Sequence, residues 1–100
     1  MTNESTKPTA IIIRKLSRQN CRPCTVLTYA INEITDQLAS LNAHVSEHDV
    51  DVEFGLIRKY GLTSVPVMIF ERNGAEITRL NGLVSTAEIL DAVEYAKEAR

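Results

Sequence analysis

The chain lacks the features that mark several classes of protein. Its longest uninterrupted apolar runs, residues 10–13 and 67–70, are far too short to span a bilayer. The first eight residues are polar, with no apolar core or cleavage pattern, so a secretory signal is not expected and a cytoplasmic location is. With only four glycines and three prolines the chain cannot be collagen-like. Its formal net charge is −2, without the basic excess that nucleic-acid backbones require, so no nucleic-acid or membrane partner is expected. Two cysteines are too few for a disulfide-stapled mini-protein, which normally carries four or more.

What is present describes an ordinary globule. At 100 residues, 44% hydrophobic and 24% charged, the chain has enough apolar surface for one core and not for two. We expect residues 1–8 to be a flexible tail and residues 9–100 a single domain, monomeric. Residues 9–16, rich in β-branched side chains, predict a strand covered on both faces. Pro23 suits the first turn of a helix. Leu27, Ile31, Ile34, Leu38 and Leu41 then recur at helical spacing, predicting a helix of about five turns.

A second strand is expected over residues 43–47. A short helix follows through Phe54, Ile57 and Tyr60, capped by Asp49 or Asp51 and stopped by Gly61. The period then changes to two. Residues 65–71 and 75–80 predict strands joined by a tight Asn73-Gly74 turn. After Gly82, Ser85 and Glu88 form a capping box for a last helix that buries Ile89, Leu90, Val93 and Ala96. The order is βαβ, then α, then ββα: a four-stranded mixed sheet with helices on both faces.

The two cysteines, Cys21 and Cys24, fall between the first strand and the first helix as Cys-Arg-Pro-Cys. Three residues apart, they close too small a loop to stabilise the fold much, so chemistry explains them better. The unpaired N–H groups and positive dipole end of the helix favour an anion at its first turn, and Arg22 adds a positive charge. Such surroundings lower a cysteine pKa from about 8.5 to roughly 3.5–7.5, making Cys21 a nucleophile. Cys24, one turn later, faces inward and resolves a mixed disulfide by attacking the Cys21 sulfur.

Two alternatives compete. Reduced cysteines also pack as small core residues. A zinc site is the sharper rival, because Cys21-x2-Cys24 and His44-x3-His48 have the ligand types and pair spacings of a Cys2His2 set. The intervening helix, however, carries Cys24 and His44 roughly 25–30 Å apart at 1.5 Å per residue. The histidines then read as surface residues on and after the second strand.

Cys21-Arg-Pro-Cys24 resembles the thioredoxin active site, whose second intervening residue is also proline. Further similarities follow in order. Residues 60–66, Tyr-Gly-Leu-Thr-Ser-Val-Pro, resemble the segment leading to the family's cis-proline. Residues 70–74 resemble its strand and hairpin, and Asn81-Gly82 the glycine before its last helix. The resemblance implies a cis Pro66, a trans proline at a strand start being the alternative. It also implies substrate docking on Val65, Pro66 and Gly82, and tuning of Cys21 by Arg22 and Pro23.

The departures are equally specific. Asn20 replaces the usual tryptophan, and the short segment before Cys21 implies a glutaredoxin-sized frame without the extra N-terminal strand and helix. Glutaredoxin's glycine pair and acidic residue are not matched by residues 81–85. Lys15 falls where the family has a buried aspartate, and Glu47 near its partner lysine. The two are either a charge-swapped pair favouring the Cys24 thiolate or unrelated surface charges.

The resemblance implies a thiol–disulfide oxidoreductase that reduces protein disulfides, a role in electron transport and redox homeostasis. Its partners are disulfide-containing proteins and a recycling reductase or small thiol, and it needs no cofactor beyond the redox-active disulfide. A glutathione-dependent glutaredoxin is the alternative. A non-catalytic binding module or a zinc protein stands behind it.

Overall fold

The computed structural model describes residues 9–99; the tail expected over residues 1–8 lies outside them. The first apolar run forms β1 (Ile11–Ser17), which lies parallel to β2 (Ala43–Asp49) and antiparallel to β3 (Val67–Arg72). β3 turns back into β4 (Ala75–Asn81), giving one mixed sheet in the order β2-β1-β3-β4. Asn73 and Gly74 carry the hairpin with φ of 55° and 80°, the two positive angles that a turn matched to strand twist requires. β3 begins two residues later than the alternation of residues 65–71 suggests, because Val65 and Pro66 belong to the loop before it.

The parallel pairing of β1 and β2 needs a crossover, and helices supply it. The expected five-turn helix is instead two, α1 (Arg22–Glu33) and α2 (Thr35–Ser40). At Ile34 (φ −117°, ψ 23°) the amide turns to Ile31 O, three residues back, and the Thr35 hydroxyl donates to Asn32 O at 3.0 Å. Ile31, Ile34 and Leu38 stay buried across the break, so one apolar seam serves both helices and its period cannot reveal the interruption.

The short helix α3 (Gly55–Tyr60) stops at Gly61, which takes the left-handed conformation at φ 61°. Neither Asp49 nor Asp51 caps it. Asp49 Oδ1 accepts the Asp51 amide at 2.9 Å, its carbonyl takes the amides of Val52 and Glu53, and Asp51 pairs with Arg18 at 3.0 Å. The helix therefore starts late, after an exposed Phe54.

The last helix, α4 (Thr86–Glu98), begins on the predicted capping box. The Glu88 amide donates to Ser85 Oγ at 3.1 Å, and the Ser85 amide to Glu88 Oε1 at 2.8 Å. At its other end the Arg72 guanidinium donates to the carbonyls of Ala96, Lys97 and Ala99, satisfying groups a helix terminus otherwise leaves unpaired.

Period-two alternation sorts the side chains onto two faces. Ile11, Ile13, Met68 and Phe70 pack beneath Leu27, Ile31, Leu38, Ile89 and Val93 of α1, α2 and α4, with Leu90 only partly buried. On the opposite face Leu16, Val67 and Ile69 meet Val50 and Tyr60, under α3. Two charged side chains are buried among the described residues, Lys15 and Glu71, and they lie on opposite faces.

Glu71 is fully matched by partners. Arg14 Nε donates to it at 2.8 Å and the Tyr60 hydroxyl at 2.7 Å. Burial pushes the Glu71 carboxyl up, but these hydrogen bonds and the Arg14 charge together outweigh it and hold the group below its usual range. Burial, then the bond to Glu71, pushes Tyr60 up to about 12.

Because the folded state lowers the Glu71 pKa, this carboxylate stabilises the fold above the unfolded value, near about 4.3. That stabilisation is lost as pH falls through the lower folded value. We expect Glu71→Gln to lower the melting temperature at pH 7 and to flatten its decline below about pH 5, measured by circular dichroism melts across pH.

Candidate active site

β1 ends at Ser17, and a three-residue connection leads to Cys21 with Asn20 in the left-handed conformation, φ 56°. Cys21 is the N-cap of α1. Its backbone is extended (φ −116°, ψ 103°), and its Sγ takes the place a cap oxygen usually holds, accepting the Cys24 amide at 3.2 Å. Arg22 and Pro23 fill the first two helical positions, where the proline's missing N–H costs no bond, and both are exposed.

No acidic side chain stands in the first turn to offset the positive helix end or the Arg22 charge. Cys21 and Cys24 are joined in a disulfide with their Cα atoms 5.2 Å apart. Cys21 is half-buried and Cys24 is buried.

Strand register gathers the remaining pieces. Leu16 pairs with Val67, and Val67 with Asn81, so the end of β1, the start of β3 and the end of β4 share one edge of the sheet. The loops leaving that edge carry Cys21, Val65-Pro66 and Gly82. The Val65–Pro66 peptide is cis. Gly82, at φ 74°, donates its amide to the Pro66 carbonyl at 2.8 Å, which locks the two loops together in a conformation glycine adopts without penalty.

Among the described residues, nothing hydrogen-bonds the Val65 backbone. Leu83, 55% exposed beside Gly82, and a cavity of about 190 Å³ between Arg18, Val50, Ile57, Leu62 and Val65 flank this edge. Sequence reasoning missed Leu83 and Arg18, since neither carries a motif and only their exposure beside the site marks them.

Lys15 and Glu47 are direct partners across the β1–β2 ladder, with Nζ 3.1 Å from Oε2. They are not unrelated surface charges: the Lys15 side chain is only 3% exposed, although that of Glu47 is 57% exposed. The ammonium also donates to Thr28 Oγ1, and Thr28 Oγ1 in turn donates to the Cys24 carbonyl at 3.2 Å. Thr28 was not singled out in the sequence. Its signal is its position four residues after Cys24, on the same side of α1.

The zinc alternative finds its ligands engaged elsewhere. The cysteines are bonded to one another, and His44 Nε2 lies 2.9 Å from Asn42 Oδ1. His48 lies within β2 rather than after it, half-buried, with Nδ1 3.1 Å from Glu53 and Nε2 between Ser46 and Arg14. Arg14 donates to Nε2, which leaves Nδ1 as the protonated nitrogen facing Glu53. No three His, Cys, Asp or Glu side chains gather as a metal set among the described residues.

A half-buried sulfur at a helix N-terminus, joined to a buried sulfur one turn on, is a pair built for thiol–disulfide exchange. A family model described as a thioredoxin-like domain matches residues 5–97. The chain belongs to the thioredoxin-like family, and it is a thiol–disulfide oxidoreductase. A thioredoxin of Chlamydia caviae is 24% identical over 78 residues, 75% of this chain and 72% of that protein.

Two solved structures have the same fold. A mutant thioredoxin from Halobacterium salinarum NRC-1 has a TM-score of 0.79 at 22% identity, covering 98% of this chain and 84% of its own. Fasciola hepatica thioredoxin has a TM-score of 0.77 at 20% identity, covering 94% and 86%. No described helix is long and apolar enough to cross a membrane.

Arg22 is exposed, so its charge acts on Cys21 through solvent and its effect is small. Arg22→Gly is expected to slow alkylation of reduced Cys21 at pH 6 by about two- to fivefold, as loss of an exposed charge worth roughly 0.3–1 kcal/mol to the thiolate requires. The measurement is the pH profile of iodoacetamide reactivity.

Proposed function

We propose that this enzyme reduces disulfides in protein substrates, with Cys21 as nucleophile and Cys24 as resolving thiol. The observation that supports it best is that a half-buried Cys21 and a Val65 backbone without a hydrogen bond among the described residues lie at the same end of the sheet. An extended stretch of substrate hydrogen-bonds to Val65 as an added strand, while Pro66 and Gly82 shape the surface beneath it and Leu83 offers an apolar contact.

The Cys21 thiolate attacks one sulfur of the substrate disulfide, and the other departs as a thiol. Cys24 then attacks Cys21, releasing the second substrate sulfur and leaving the Cys21–Cys24 disulfide. A recycling reductase or small thiol restores the dithiol. The two sulfurs suffice for the electron bookkeeping, and no metal or organic cofactor enters either step. The setting we infer is a reducing cytoplasm with the protein acting as a monomer, where a dithiol of this type donates electrons.

The second reading, a glutathione-dependent glutaredoxin, rests on the short frame around the four-stranded sheet. Against it stand residues 81–85, which lack the glycine pair and acidic residue of a glutathione site.

The decisive measurement is the Cys21–Cys24 reduction potential in graded thiol–disulfide buffers, read by alkylation and mass spectrometry because the chain has no tryptophan. A potential below roughly −230 mV is expected for a reductase, whereas roughly −180 mV or above indicates a glutaredoxin or an oxidant. Cys21→Ser should abolish reduction of a protein disulfide such as insulin. Cys24→Ser should accumulate a protein–substrate mixed disulfide, and glutathione alone should not sustain turnover.

A further inference from the structure

We propose that Lys15 is a positioning residue for the second chemical step, holding the Cys24 thiol ready to ionise, and that Glu47 sets how much of the Lys15 charge Cys24 feels. This rests on the reading of Cys24 as the resolving cysteine.

The inference starts from an asymmetry in the two buried charges. Glu71 is matched on its face by an arginine and a tyrosine hydroxyl. Lys15 is matched less completely. Its ammonium is closed off from solvent, but Glu47, its carboxylate partner among the described residues, is more than half exposed, where water weakens the compensation. A positive potential is therefore left beneath α1.

Cys24 sits where that potential is felt. It lies on the buried side of α1, 4% exposed, one turn before Thr28, at about 5–6 Å between Cβ atoms. Thr28 Oγ1 takes a hydrogen bond from Lys15 and donates one to the Cys24 carbonyl, which fixes the ammonium against that turn of the helix.

The other elements packed there supply little competing charge. β3 sets Met68 opposite Lys15, α4 contributes the apolar Ile89 and Val93, and Arg22 is exposed at the start of α1. Among the described residues, Glu47 from β2 is the one anion in contact with Lys15. Burial by itself disfavours a thiolate, so a buried resolving cysteine gains from a nearby cation.

The step it assists is balanced by solvent. Cys24 loses its proton to water, and its thiolate attacks Cys21 Sγ in the mixed disulfide. The bond between Cys21 and the substrate sulfur breaks, and the departing substrate thiolate takes a proton from water. The dithiol is thereby oxidised by two electrons, and the substrate disulfide is reduced by two.

The test measures Cys24 ionisation in the reduced protein on a Cys21→Ser background, from the pH profile of alkylation, and separately the release of substrate from the mixed disulfide formed with Cys21 intact. Lys15→Met is expected to raise the Cys24 midpoint by about one unit, which is tenfold in thiolate fraction. It should slow release about tenfold at pH 7 while first attack by Cys21 changes by less than about twofold. Glu47→Gln, by removing the compensating anion, is expected to move the Cys24 midpoint the opposite way.

A pair that merely holds the fold together predicts a lower melting temperature for both variants with the Cys24 midpoint unmoved or moved in the same direction by both. Either result overturns the proposal. If Lys15→Met does not fold, the sign of the Glu47→Gln shift decides alone. Opposite shifts in a protein that fails to reduce protein disulfides uphold the role of Lys15 and overturn the proposed function instead.

Discussion

Everything at the site is positioned from β1, which is hydrogen-bonded on both sides and buried on both faces. Its ladder to β2 sets Lys15 against Glu47, and its ladder to β3 sets Leu16 against Val67, immediately after Pro66. The same strand then delivers the chain to Cys21. A one-residue slip in either ladder would exchange the faces of Ile13 and Arg14, burying a guanidinium under α1 and taking it from its partner Glu71. The cost of that exchange is what keeps the sulfurs, the Val65 backbone and Gly82 on one edge.

The two sheet faces handle buried charge differently, and the difference follows from what covers them. Under α3, a helix of six residues, the face is closed partly by side chains: Arg14 and Tyr60 both donate to Glu71, with His48 joined to Arg14 on one side and Glu53 on the other. Under α1 and α4 the buried residues described are apolar except for Lys15, near the end of β1 where the helix begins. Polar groups thus complete the core where helical cover is short. A single cation enters the apolar core at the turn that carries Cys24.

Much of this was legible in the residues. Capping by Ser85 and Glu88, the stop at Gly61 and the Asn73-Gly74 turn were readable because each depends on a bond or a backbone angle within a few residues. The Cys-Arg-Pro-Cys pair was readable for the same reason, since a helix N-terminus acts on its own first turn. The break at Ile34 was hidden because the apolar spacing continues across it. The expected Asp49 cap failed because the same carboxylate had a nearer donor in the Asp51 amide.

The elements, their order, and the chemistry that two cysteines at a helix start make available follow from the residues alone, because these rest on local propensity, periodicity and capping. Packing of the whole chain was needed to bury Lys15, to link it through Thr28 to the Cys24 carbonyl, to leave Glu47 half in solvent, and to expose Leu83 beside the site. Those outcomes depend on which strands pair and which helix covers them, over separations of 13 to 32 residues for the Lys15 contacts alone. No local rule spans that distance, because burial is settled by the whole core packing at once.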